Sequence, residues 1–510
     1  MPSDGKGWKS RLEELERRRA EAGAMGGAER LERRRKEGRL DARARIETLF
    51  DPGSFRELGA LVGGVGRAGE PATPADALVA GFGRIEGRPA LAGAEDFTVA
   101  GGSIGLGNAD KRFRLTQLAA QERVPLVFLL EGAGHRATNA LRSHGRTPND
   151  LQGLASLSGR VPTVCVVMGA SAGHGALAAP LMDFVVMVEG ASLFAAGPPL
   201  VRASIGEEVT KEELGGVDVH TKESGVAHNV APDDAAALAL ARRYLGYFPQ
   251  SAWEAPPARR GDGADTAERL LDGILELLPA DDRRPYPMRR LVELVCDAGS
   301  VLEVQPAFGA SLVTALAFLG GDAVAVVAND PSVRAGTIDT AAAEKGARFL
   351  EVVGAFHLPV VFLADNPGVM AGTRAERAGA LRAGARMFAA QHRLRSPKLS
   401  VTLRKAFGFG SSIMAMNPFD DQTLSLALPG VALGAMPAEA GAGAAGADAE
   451  TRAALERNEA DGPWRAASSM AFDDVIDPRE LRNALLRGLE LARGRRRGPL
   501  GPVARVGTLP

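Results

Sequence analysis

The chain has 510 residues, 45 % of them hydrophobic and 24 % charged, with a formal net charge of −1. That length exceeds what a single core supports, so two or more domains are expected. The near-neutral balance excludes attraction of the whole chain to nucleic acid or to an anionic membrane surface. Only two cysteines occur, Cys165 and Cys296, both in apolar stretches. They exclude a disulfide framework and a four-cysteine zinc site, and predict reduced thiols in a cytoplasmic protein. Residues 1–9 lack the apolar segment of a secretory signal, and no apolar run reaches the roughly 18 residues that a bilayer span needs.

Residues 9–48 are dense in Arg, Glu, Leu and Ala and predict exposed helices laced with opposite charges. Within them Arg33, Arg34 and Arg35 form a cluster that either lies in solvent or meets an anionic group such as a nucleotide phosphate. From Leu78 the pattern changes to short strands, 77–80 and 89–92, about a turn at Glu86-Gly87. Residues 111–123 read as an amphipathic helix, and 124–130 and 161–168 as fully buried strands. A Pro-, Asp- and Gly-rich stretch, 249–287, reads as a linker holding a helix over 266–278, with a domain boundary near residue 260. Beyond it the pattern returns: strand 323–328, helix 341–353, and strands 358–364 and 398–403. The Ala/Gly patch 438–447 predicts a helical turn or a loop, and the basic tail from Arg493 a loosely ordered extension.

Landmarks of the first half recur in the second. Asp96 and Asp330, Gly102 and Gly336, Lys111 and Lys345, Pro125 and Pro359, and Gly134 and Gly368 each stand 234 positions apart by subtraction. The spacing then slips to 235 for Pro162 and Pro397, Gly173 and Gly408, and Gly175 and Gly410. The shared order of these matches predicts an internally duplicated α/β chain with domains 1–260 and 261–510. Each half carries a Gly-x-Gly loop between a strand and a helix, at Gly173-His174-Gly175 and at Gly408-Phe409-Gly410. Helix-initial amides lack partners inside the helix, and two aimed at one point can stabilise an enolate oxygen. No Ser–His–Asp or metal-ligand constellation accompanies them, so no metal is expected. His174 is either a general base or a structural residue, because Phe409 fills its place in the second half. His135 leans to the structural side.

These residues resemble the carboxyltransferase (β) subunits of biotin-dependent acyl-CoA carboxylases, the propionyl-CoA, methylcrotonyl-CoA and acyl-CoA carboxylase family. The likeness runs through 38–46 with 49–55, through Gly206-Glu207-Glu208-Val209, Glu212–Gly216, His220 and 224–227, and through 365–372. It implies two crotonase-like domains, a hexamer of this chain, and a site across a subunit interface. The first domain would take the acyl-CoA and the second biotin. By position the oxyanion holes fall at Gly173 and His174, and at Phe409 and Gly410. Gly134, Ala172, Gly175, Gly368, Gly408, Ser411 and Ser412 would then line the pockets, with Ser412 tuning acyl preference. The family's chemistry moves carbon dioxide from carboxybiotin to the α-carbon of a thioester through an enolate, with the freed biotin nitrogen taking the proton. Where the family shows Gly-Gly and Gly-Ala, this chain has Gly173-His174 and Phe409-Gly410. Residues 135–138 depart from the family pattern as well. Ala415-Met416-Asn417 lacks the lysine of a biotinylation motif, and no ATP-grasp segment is present. A separate biotin-bearing α subunit is therefore implied. A malonyl-type decarboxylase or a biotin-independent relative, using the same enolate, is the alternative, and a non-catalytic assembly subunit a third reading.

Overall fold

A computed structural model describes residues 7–64, 72–141, 149–259, 265–495 and 500–503. The chain divides into two compact units, Met1–Gly246 and Tyr247–Pro510. Both are α/β, and in both the continuous apolar runs form the central parallel strands, with helices on the faces.

In the first unit the sheet runs Arg56–Leu58, Leu78–Ile85, Arg88–Glu95, Leu126–Leu130, Thr163–Val167, Phe184–Val188, Asn229–Ala231. The first two pairings are antiparallel and the rest parallel. Glu86 and Gly87 make the hairpin turn, both with positive φ. Every residue of Leu126–Leu130 and of Thr163–Val167 is buried. The helix Leu106–Glu122 connects the hairpin to the parallel strands, and the helix Asp234–Leu245 packs back through Tyr244, stacked on Phe184 at 4.2 Å. A separate two-stranded pair, Ala170–Ala172 with Ser192–Phe194, carries the chain from the end of Thr163–Val167 into the next helix.

The second unit has the same strand order: Leu302–Glu303, Leu312–Leu319, Asp322–Asn329, Val360–Asn366, Lys398–Phe407, Gln422–Ala427, Asp474–Val475. The pairing senses also match, and Ala432–Gly434 pairs with the far half of Lys398–Phe407 as Ser192–Phe194 pairs with Ala170–Ala172. Leu78 and Leu312, Arg88 and Asp322, and Leu126 and Val360 each begin strands 234 positions apart by subtraction. Backbone detail follows the same spacing. Gly102 and Gly336 both have positive φ, and a Cβ on either would come within 2.3 or 2.4 Å of the carbonyl oxygen of Glu131 or Asp365.

Three expectations need correction. The helix expected over 266–278 shrinks to Ile274–Leu277, because tertiary partners take the backbone groups that a helix would use. The Arg482 guanidinium donates to the carbonyls of Asp265 and Ala267, Arg269 N donates to Asn483, and Leu271 N donates to the Arg479 carbonyl. The amino-terminal region is not wholly exposed: Trp8–Gly23 is nearly so, but Ala28–Lys36 and Ala42–Leu49 bury Arg34, Arg45, Ile46 and Leu49. The strand from Lys398 runs on to Phe407, beyond the expected Leu403. Residues 247–259 belong with the second unit, where Ala323 N donates to the Pro257 carbonyl and His357 Nε2 to the Ala252 carbonyl. Residues 260–264, at the expected boundary, lie outside the described residues. The Ala/Gly patch forms the helix Ala438–Ala445, ended by left-handed Gly446.

Candidate active site

The first loop is built from two chain segments. Thr163–Val167 delivers the chain to Ala170–Ala172, and a turn at Gly173, φ 59°, opens the short helix Gly173–Leu177. Beside it runs the end of Leu126–Leu130, continuing through Gly132 and Gly134. Ala172 N donates to the Gly132 carbonyl, and Ile104 N to the Gly134 carbonyl at 2.8 Å. Gly134 has φ 76°, and a Cβ there would lie 2.7 Å from the Ala172 carbonyl oxygen. Only glycine permits this approach and this dihedral together. The expected residues Gly134, Ala172, Gly173, His174 and Gly175 are thus brought together.

A buried charge relay stands behind this loop. His174 Nε2 lies 2.5 Å from Asp150 Oδ1, and Arg112 Nε donates to Asp150 Oδ2 at 2.7 Å. Arg112 Nη1 donates to Glu95 at 3.0 Å, and the other oxygen of Glu95 accepts the Glu131 amide. Burial alone would raise the Asp150 carboxyl. The His174 hydrogen bond and the Arg112 charge outweigh it and hold the pKa at about 2. Glu95, fully buried, is instead pushed up by desolvation despite Arg112. His135 sets its ring edge-on to His174, with centroids 5.1 Å apart.

Glu131, at the end of Leu126–Leu130, anchors the amino-terminal helices. Arg34 and Arg45 each reach its carboxylate at 2.6 Å, and Arg45 also holds Asp234 at 2.9 Å. Burial would raise Glu131, but the two arginines prevail and its pKa is lowered. Arg34 therefore neither lies in solvent nor is free for an external phosphate: its charge is paired with a protein carboxylate.

The motif around Gly206–Ala227 supports the same loop from the other side. The Leu193 carbonyl, in the strand paired with Ala170–Ala172, can only accept, so His220 Nε2 donates to it at 2.5 Å. His220 Nδ1 then accepts from Ser224 Oγ at 2.8 Å. A Cβ on Gly215 would meet the same carbonyl at 2.1 Å.

The second loop repeats this backbone with other side chains. Phe407 ends the long strand, Gly408 turns at φ 56°, and the helix Gly408–Ile413 follows. Gly368, φ 120°, lies alongside, and Ile338 N donates to its carbonyl at 3.1 Å. A Cβ on Gly410 would come 2.6 Å from Asn366 Oδ1 and 2.7 Å from Gly368 Cα. Phe409 is 45 % exposed. Ser411 Oγ donates to the Gly408 carbonyl, and Ser412 Oγ to Asn417 at 2.8 Å, so both hydroxyls are committed within the loop. The expected residues Gly368, Gly408, Phe409, Gly410, Ser411 and Ser412 are again together. Under this strand end, Asp365 takes the place of Glu131 and is held by Arg404 at 2.8 Å and by the Tyr286 hydroxyl at 3.0 Å. Here burial outweighs the arginine, and the Asp365 pKa is raised. Among the described residues no cluster of three or more His, Cys, Asp or Glu could hold a metal ion.

Comparison with known proteins settles the family. The profile for the carboxyl transferase domain matches residues 33–502. The chain belongs to the carboxyl transferase family. It is 33 % identical to the propionyl-CoA carboxylase carboxyltransferase subunit of Haloferax mediterranei, over 98 % of this chain and 99 % of that one. To the methylmalonyl-CoA carboxyltransferase 12S subunit of Propionibacterium freudenreichii subsp. shermanii it is 34 % identical, over 94 % of each. To the methylmalonyl-CoA decarboxylase subunit alpha of Veillonella parvula it is also 34 % identical, over 95 % of this chain and 96 % of that one. Among solved structures, the transcarboxylase 12S hexamer with methylmalonyl-coenzyme A bound superposes with a TM-score of 0.90 at 31 % identity, covering both chains fully.

Sequence reasoning found the loops of this carboxyl transferase but missed the relay behind the first one. Asp150, Arg112 and Glu95 are scattered over strand, helix and helix start, and only folding brings them to His174. One signal was available. Arg112 breaks the apolar face of its helix beside Lys111, and a charge on a buried face calls for a partner.

Proposed function

We propose that this chain performs the carboxyl transfer step of a biotin-dependent acyl-CoA carboxylase or transcarboxylase. The observation that carries the reading is the pair of matched loops: two strand-to-helix turns, each closed by a second glycine loop and each presenting helix-initial amides. The family membership and the relatives' names support it. In this reading the two units are duplicated crotonase-like domains, Met1–Gly246 facing the acyl-CoA and Tyr247–Pro510 facing biotin. The common strand order and the 234-residue offset of the strands beginning at Leu78, Arg88 and Leu126 support the duplication. The assembly is a hexamer of this chain with a separate biotin-carrying α subunit, located in the cytoplasm with no nucleic-acid or membrane partner. The two buried free thiols suit that compartment.

The chain's own contribution is electrostatic. Gly173 and His174 amides donate to the thioester oxygen as negative charge builds on it, and the glycine-on-glycine packing excludes water from that point. Phe409 and Gly410 amides form a donor-only set that fits a ureido oxygen. Carboxybiotin, when bound there, supplies the carbon dioxide and a nitrogen able to take up a proton. Reconstitution with a biotin carrier carboxylated in advance with labelled bicarbonate tests this. Label in the carboxylated product of propionyl-CoA or a related short acyl-CoA is the expected result, and none across a broad thioester panel would sink it.

A second reading, decarboxylation of a malonyl-type CoA, is favoured by the Veillonella relative. Release of carbon dioxide from methylmalonyl-CoA without ATP, faster than transfer in the other direction, would select it.

A further inference from the structure

We infer that Asp150 is a positioning residue for the first strand-to-helix loop: through the His174 side chain it sets the direction of the His174 backbone amide, and with it the strength of the oxyanion hole; this rests on the carboxyl transfer reading above. The loop has little else to hold it. The helix Gly173–Leu177 has five residues, Gly-His-Gly-Ala-Leu. Helices shorter than roughly 12 residues are marginal by themselves. Glycine stands on either side of His174, and glycine leaves the backbone dihedrals freer than any other residue. A Cβ on Gly173 would find no neighbour closer than 3.7 Å, so packing does not confine that side. His174 is the one residue of the five whose side chain forms hydrogen bonds. Any polar tie made by the helix's own side chains therefore runs through it.

That tie reaches three other elements. An ionised Asp150 only accepts, so His174 Nε2 donates to its Oδ1 at 2.5 Å. Asp150 opens the helix Asp150–Leu157, and its Oδ2 accepts from Arg112 Nε at 2.7 Å. Arg112, on the helix Leu106–Glu122, lies 4.7 Å over the Phe128 ring and donates on to Glu95, the last residue of the strand Arg88–Glu95. The Arg112 and Asp150 side chains are 0 % and 2 % exposed, so water does not compete for either. A Cβ on Gly175 would lie 3.1 Å from Glu95 Oε1, which puts the far end of the relay beneath the same loop. The imidazole is thus a strut between the loop backbone and the sheet. The second loop is held by other means: Ser411 Oγ donates to the Gly408 carbonyl, and Gln391 Nε2 to the Ser412 carbonyl at 3.2 Å. At the offsets that relate the halves, Asn329, Gly346 and Phe409 replace Glu95, Arg112 and His174. A buried ionic set contributes little to stability against an apolar replacement, and the second unit folds without this one. What the set supplies is a fixed orientation, and an oxyanion donor must be aimed before the charge forms.

The experiment reconstitutes the full-length chain with a carboxylated biotin carrier and measures kcat and the acyl-CoA KM, using the fastest substrate of a panel led by propionyl-CoA. His174→Ala and His174→Leu cut the strut but keep the backbone amide. Each is expected to lower kcat by at least about tenfold. The KM should stay within about twofold, because the hole acts on charge that builds only in the transition state. His174→Gln, whose side-chain amide still donates to Asp150, should regain most of the lost kcat, a rescue that a merely structural histidine would not give. Asp150→Ala severs the strut from its other end and should match His174→Ala in kcat, with the double variant no slower than the slower single one. A kcat within about twofold of wild type in folded His174→Ala and His174→Leu overturns the inference. So does a loss in His174→Gln as deep as in His174→Ala. In both cases the wild-type complex still transfers, and the carboxyl transfer reading stands without the inference. Absence of transfer by the wild-type complex across the whole panel removes that reading and the inference with it.

Discussion

The two strand-to-helix loops have one backbone and two foundations. In each, a glycine with positive φ opens the helix, a second glycine loop packs against it, and an isoleucine amide ties that loop down. Beneath the first lies a chain of charges, Glu95, Arg112, Asp150 and His174. Beneath the second, Asn329 and Asn366 bond to each other, and Phe409 packs where Gly384 leaves space. The difference teaches that glycine placement sets the loop geometry, while the groups behind it are free to diverge. Shared amides can thus serve two ligands, and the supporting side chains can differ in chemistry.

The sharpest way to break that comparison is to remove one charge from the first foundation. Arg112→Met leaves Glu95 and Asp150 buried without a cation and should lower stability by about 3–5 kcal/mol, read from the urea midpoint. A loss under about 1 kcal/mol would show that the relay is loosely solvated. Next comes the backbone itself. Gly410→Ala places a methyl against Asn366 Oδ1 and Gly368 Cα and should cut carboxyl transfer by a hundredfold or more, about 3 kcal/mol of barrier. Full activity would remove the second loop from the chemistry.

The matched buried lysines give a smaller effect with a defined pH window. Desolvation lowers Lys345 from 10.5 to about 7 and Lys111 from 10.5 to about 8. A lowered lysine pKa means that the folded chain releases its proton while the unfolded chain still holds it. Stability therefore rises as pH climbs from the folded value to 10.5, and is flat below the folded value. Lys345→Met should flatten that rise more than Lys111→Met, measured as denaturant midpoints across the window. Equal slopes in wild type and both variants would contradict the burial. The smallest change is expected from Phe409→Ala. With the ring 45 % exposed, stability should move by less than about 1 kcal/mol, while the KM for the biotin carrier shifts more than kcat. A reversed split would place Phe409 in the chemical step.

Much of the frame was legible in the residues. Continuous apolar runs such as 124–130 and 358–364 read as buried parallel strands because lipophilic residues on both faces have no other soluble use. The loop glycines stood out because each sits between such a strand and a helical pattern. The helix expected over 266–278 was not legible correctly, since its fate depends on Arg482, far along the chain, which captures its carbonyls. The strand Leu312–Leu319 was overlooked, although its apolar run ends at Gly320-Gly321, the counterpart of the Glu86-Gly87 turn. The relay was invisible for a different reason: an ion network has no period, and its members meet only after the sheet has formed.

The clamp on Glu131 also bears on how such a chain can change over generations. Arg34 and Arg45 meet one carboxylate, whereas the second unit seats the same strand end with Asp365, Tyr286 and Arg404. Glu131 is the member whose loss costs most, because it leaves Arg34 buried without its carboxylate. Change at Glu131 should therefore be found together with change at Arg34, so that these two positions, distant in the chain, are inherited as one unit.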